Sequence, residues 1–113
     1  MKHYVVEHWS YRPAWHDLSQ EQRALFLDGI RQAVKQMASA GIRTLGFGRL
    51  DHSVDHANKA YDFWSLWEID SIEARDLFFA GVAASGWYNY FEHMNTAGIL
   101  GAPEAVLEAH LGA

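Results

Sequence analysis

The sequence contains no cysteine, so disulfides and thiolate metal sites are excluded from the start. That absence is compatible with a reducing compartment, and a cytoplasmic location is expected. No apolar run approaches the roughly 20 residues that a membrane span needs. The opening stretch Met1-Lys2-His3-Tyr4-Val5-Val6 is broken at once by Glu7 and His8, so it does not read as a signal peptide. Lys and Arg number only nine and are scattered, against 14 Asp and Glu, giving a formal charge of -5. A nucleic-acid groove requires clustered cations, so neither nucleic acid nor membrane is expected as a partner. There is no linker-like or low-complexity stretch, and 113 residues make one domain, 1–113.

What the chain has in abundance is aromatic side chains: five Trp, five Tyr and six Phe. Aromatic residues dominate cores and interfaces because each buries a large area. Sixteen exceed the needs of a small core, which points to an aromatic-lined cavity, a subunit interface, or both.

Residues 3–10 read as a strand, rich in β-branched and aromatic residues and closed by the turn Tyr11-Arg12-Pro13. Ser19 with Gln22 forms a capping box, and apolar residues at Phe26, Ile30, Ala33, Val34, Met37 and Ala40 mark one helical face. Gly41 supplies the stop. Residues 42–50 and 60–69 read as strands around the polar loop 51–59. Asp70 with Glu73 is expected to cap a second helix that ends at Gly86. Residues 88–97 read as a fourth strand, and Pro103 opens a short helix over 103–111. The order β-α-β-β-α-β is the α+β, ferredoxin-like arrangement, a four-stranded antiparallel sheet with both helices on one face.

Strand parity adds a partner. Val5, Glu7 and Trp9 share one face of the first strand, and Tyr4, Val6, His8 and Ser10 the other. On the third strand Phe63, Ser65 and Trp67 oppose Asp62, Trp64, Leu66 and Glu68. Both faces carry large apolar groups, whereas a solvated face is mostly polar. A homodimer packed sheet on sheet supplies the missing cover. We expect Glu7, Asp62 and Glu68 on that dimer face, with Arg49 as their counter-ion, and His8, Tyr4 and Val6 under the helices.

The chain to about residue 98 resembles the dimeric α+β barrel proteins. Its stretch Ser65-Leu66-Trp67-Glu68-Ile69-Asp70-Ser71-Ile72-Glu73-Ala74 is similar to the aromatic strand and acidic helix start of antibiotic-biosynthesis-type and haem-degrading monooxygenases. The segment Gly86-Trp87-Tyr88-Asn89-Tyr90-Phe91-Glu92-His93-Met94-Asn95 more closely resembles a branch of that superfamily without a known activity. In the haem-degrading branch the resemblance implies a pocket between sheet and helices, with His8 standing where that branch has an Asn and Trp67 matching its Trp. The iron-ligating His of the second helix has no counterpart between Phe78 and Gly86. Since this superfamily spans several chemistries, fold does not settle function.

The candidate site follows from these placements. His8 and His93 are the candidate proton-transfer residues, since His titrates near neutrality. Tyr4, Ser65, Trp67, Tyr88 and Asn95 are the candidate ligand contacts, with Trp67 stacking on a flat molecule and Asn95 orienting a carbonyl. Each has a plainer alternative as a packing or interface residue. Asp51-His52-Ser53-Val54-Asp55-His56 holds metal-ligand types, but two His four apart converge only on a helix, so no metal and no cofactor are expected. The reading is a cofactor-independent enzyme, or enzyme-like protein, for a small flat apolar molecule, working by monooxygenation or proton-transfer isomerisation. The alternatives are a non-catalytic binding or stress-associated module, and a haem protein ligated through His93.

Overall fold

Ser19 and Gln22 make the reciprocal pair of hydrogen bonds that their spacing predicts. The Ser19 hydroxyl accepts from the Gln22 N–H at 3.1 Å, and the Gln22 side chain accepts from the Ser19 N–H at 2.8 Å. They open α2, Gln20–Met37, in a computed structural model that describes every residue from Met1 to Ala113. A short 3-10 turn, Ala38–Ala40, then runs into Gly41 at φ 79°. A side chain at Gly41 would strain the backbone and place its Cβ 2.8 Å from Asp70 Oδ2, so both conformation and space demand glycine.

Helix α3 spans Ile72–Ala84, and its cap is Ser71 rather than Asp70. Ser71 stands three residues before Ala74 and accepts that N–H at 3.1 Å. The Asp70 carboxylate turns instead to Arg43 and Lys2, each at 2.6 Å. Three short helices complete the set: α1, Pro13–His16; α4, Trp87–Tyr90; and α5, Pro103–Ala109.

The strands are β1, His3–Tyr11; β2, Ile42–Arg49; β3, Phe63–Ile69; and β4, Phe91–Gly98. They form one antiparallel sheet in the order β2-β3-β1-β4, the expected ferredoxin-like α+β fold. Strand β4 starts three residues later than its composition suggests. Gly86, at φ 86°, reverses the chain into α4, so Tyr88 sits on that helical turn and not on a strand. Strand β2 carries a bulge between Thr44 and Gly46. Thr44 pairs with Trp67 and Phe47 with Ser65, so the extra residue moves Phe47 under the helices. On the other face Gly48 lies against Trp64, where an added Cβ would stand 2.9 Å from the indole nitrogen.

Burial reverses the faces expected for β1. Val5, Glu7 and Trp9 are the buried row, and Tyr4, Val6, His8 and Ser10 are only partly covered. Glu7 pairs with Ser65 and Val5 with Trp67, which sets both beneath the helices. Alternation says which side chains travel together; the helices decide which row they cover. One core cluster joins Val5, Ile42, Trp67, Ile69, Ala74 and Phe78. A second, wholly aromatic, joins Trp9, Trp15, Trp87 and Phe91. Helix α2 packs loosely, for none of its residues is buried even though Phe26, Ile30, Val34 and Met37 contact these clusters. A cleft therefore runs beneath it. No helix is long and apolar enough to cross a membrane.

Candidate functional site

Glu7 is the chemical centre of the cleft. It is 6% exposed, placed by β1 between the buried Val5 and Trp9. One oxygen, Oε1, accepts from Ser65 Oγ at 2.8 Å and from Trp67 Nε1 at 2.7 Å. Ser65 and Trp67 are two residues apart on β3, so the pleat aims both at the same carboxylate. The other oxygen, Oε2, lies 3.4 Å from His93 Nε2. Burial pushes the Glu7 carboxyl above the usual carboxylate range. The Ser65 hydrogen bond, the neighbouring His93 and the Trp67 hydrogen bond pull it back only in part.

The tautomer of His93 follows from its partners. Trp87 Nε1 can only donate, and it sits 3.0 Å from His93 Nδ1, which must therefore accept. The ring proton then resides on Nε2, which donates to Asn95 Oδ1 at 2.7 Å. Tyr88 packs edge-on against the same ring, with centroids 5.2 Å apart. An iron atom on His93 would have to displace Trp87 or Asn95, so the ring does not fit the haem reading as it stands.

Two neighbouring spaces lie beside Glu7, Trp67 and Trp87 and share part of their lining. A small chamber of about 50 Å³ is lined by Glu7, Phe47, Trp67, Phe78, Val82 and Trp87 among others. A wider groove of about 560 Å³ includes Trp9, Trp15, Phe63 and Phe91, with Arg31 and Lys35 also on its wall. Ile30, Val34, Phe47 and Trp87 belong to both. The groove has the size and the mostly apolar lining of a small-molecule site.

Of the residues singled out from sequence, Ser65, Trp67 and His93 touch Glu7, Asn95 and Tyr88 touch His93 behind it, and Trp67 also lines the chamber. His8 and Tyr4 do not join them. His8 pairs with Trp64 on the open face, where partial burial lowers its pKa. Its Nδ1 is buried without a partner. Tyr4 donates to Glu68 at 3.1 Å on that same face. Glu68 is on the open face as expected, but its cation is Arg43, at 2.9 Å. The bulge in β2 sends Arg49 to the helix side, over the Phe63 ring at 5.7 Å. Asp62 is exposed. In the 51–59 loop, Asp51 accepts from the Ser53 backbone and hydroxyl, and His52 Nε2 donates to the Tyr61 carbonyl at 2.6 Å. No three His, Asp or Glu side chains converge anywhere. The sequence reading put Glu7 in the dimer face as an ion-pair residue and not among the candidate site residues, so both its side of the sheet and its surroundings were missed; the available signal was a lone carboxylate in an aromatic strand.

The sequence profile of a family of unknown function, DUF6616, matches residues 2–113. No curated protein matches the chain. Among solved structures, a mutant chlorite dismutase from Candidatus Nitrospira defluvii is similar at TM-score 0.70 and 17% identity. That match covers 95% of this chain but only 43% of the dismutase chain, so this chain spans less than half of that protein's length. A dimeric protein of unknown function and ferredoxin-like fold from Bacteroides fragilis matches at TM-score 0.52 and 12% identity, covering 88% of this chain and 96% of its own. A dimeric ferredoxin-like protein of unknown function from Thermobifida fusca gives TM-score 0.52 and 13% identity, with 88% and 92% covered. At these identities the likeness is one of fold.

Proposed function

The chain belongs to the family of unknown function DUF6616, and we propose that it binds a small, flat, mostly apolar molecule in the cleft under α2 and moves a proton with Glu7. One observation carries the reading: a buried carboxylate with a raised pKa forms part of the wall of an apolar chamber, with one oxygen anchored by Ser65 and Trp67. A carboxyl raised toward neutrality is matched to general acid–base work. Anchoring Oε1 leaves Oε2 as the atom that takes the proton.

Removal of a C–H or O–H proton by Oε2 leaves the electron pair of that bond on the substrate. Return of the proton at another carbon completes an isomerisation. Delivery of the pair to dioxygen begins a monooxygenation. Phe47, which lines both spaces, gives the flat substrate an apolar surface to lie on in the wider groove, and only the reacting end enters the chamber beside Trp67 and Glu7. Asn95, its oxygen engaged by His93, keeps its amide N–H groups for a substrate carbonyl. His8 and Tyr4 take no part in this chemistry.

The unit of function in this proposal is a homodimer. The open sheet face presents Val6, Leu66, Trp64 and Met94, the last two 38% and 40% exposed, and two of the similar structures are described as dimeric.

The test is a thermal-shift screen of flat carbonyl and phenolic compounds, followed by deuterium exchange of each hit in D₂O. The protein should wash deuterium into a hit far faster than buffer does. Glu7→Gln should bind the hit and lose about 10²- to 10⁴-fold of that rate. A hit that binds but exchanges at the buffer rate would favour the non-catalytic binding module and refute the enzyme.

A further inference from the structure

We propose that the C-terminal arm, residues 99–113, seats in the wide groove of a second copy of this chain and forms the outer wall of its cleft. Every residue of the arm is exposed. It nevertheless carries Leu100, Val106, Leu107 and Leu111, between 59% and 80% exposed. Helix α5 has seven residues, too few to hold its shape in water without packing. An apolar, marginal helix standing clear of its own fold is a segment that has a surface to meet.

The groove matches it in two respects. Along α5, Pro103, Val106 and Leu107 fall on one side, with Leu111 in the 3-10 turn that follows, and Glu104 and Glu108 form an adjoining stripe. The groove offers Leu27, Ile30 and Val34 from α2, with Arg31 and Lys35 beside them. The two acids are four residues apart, and so are the two bases. Two helices laid alongside can therefore bring both pairs together at one spacing. Arg31 is shared with Asp28 at 2.6 Å, whereas Lys35 takes part in none of the chain's ion pairs.

In the chain's own fold the arm stands clear of this groove, exposed throughout residues 99–113, which leaves the groove open to the arm of another copy. Docked in trans, the arm would cover the open side of the cleft and shield the Glu7 chamber from water. The contact stands independently of the proton chemistry assigned to Glu7.

Charge reversal tests it. One chain carries Glu104→Lys and Glu108→Lys, a second carries Arg31→Glu and Lys35→Glu. All four positions are exposed, so both chains should fold. Amide hydrogen exchange over residues 103–109 is the readout. The natural chain should protect these amides tenfold or more, and each reversed chain alone should lose that protection. An equal mixture should regain it, because reversed arms then meet reversed grooves across two chains. An unprotected arm in the natural chain would overturn the proposal, as would protection that survives either reversal. So would failure of the mixture to restore protection.

Discussion

Replacing Glu7 by Gln isolates the energetic signature of the buried carboxyl without knowledge of a substrate. The amide keeps a carbonyl oxygen for Ser65 and Trp67 and cannot ionise. Because the folded chain raises the Glu7 pKa, it retains a proton that the unfolded chain has already released. Below about pH 4.3 both states are protonated and the full stability is present. As pH rises through the interval up to the folded value, natural stability falls relative to the variant. The loss is about 1.4 kcal/mol for each unit by which the folded pKa exceeds the ordinary one. At low pH, where a neutral acid is compared with an amide, the two chains should differ by no more than about 1 kcal/mol. Urea unfolding of both chains at pH 5, 6, 7 and 8 measures the difference. The acid-side ion pairs of Asp70 and Glu68 are common to both and cancel. A difference that stays flat with pH, or that shifts in favour of the natural chain as pH rises, would refute a raised Glu7 and remove the basis for the proposed base.

Three further outcomes are expected. Trp67→Phe keeps one six-membered ring but deletes the pyrrole half with the N–H that reaches Glu7, so lost packing and the lost hydrogen bond together should cost about 2–4 kcal/mol at pH 7 and the Glu7 titration should move upward; an unmoved NMR titration would break the link between them. Gly41→Ala forces a side chain into left-handed backbone against Asp70, at about 1–2 kcal/mol or more in urea unfolding; an unchanged midpoint would deny the strain. Leu66→Glu puts a charge on the open sheet face, so sedimentation should show the natural chain as a dimer and the variant as a monomer; equal masses would move the interface elsewhere.

Features with local causes were mostly legible in the residues, the Ser71 cap of α3 excepted. The Ser19–Gln22 box, the left-handed Gly41, the element order and the antiparallel ferredoxin-like sheet follow from capping chemistry, glycine's freedom and alternation, all of which act within a few residues. The sequence also named most of the residues now found together: Ser65, Trp67, Tyr88, His93 and Asn95. What it could not decide was sidedness. Parity groups Val5, Glu7 and Trp9 against Tyr4, Val6 and His8, yet both rows are aromatic or apolar enough to be covered, so nothing local says which row meets the helices. The bulge at Leu45 and the turn of α4 are likewise settled by packing, and they moved Arg49 and Tyr88 from their expected places. Only the tertiary structure put Glu7 under the helices and His8 on the open face, because a carboxylate's neighbours across the sheet lie some 60 residues away in the chain.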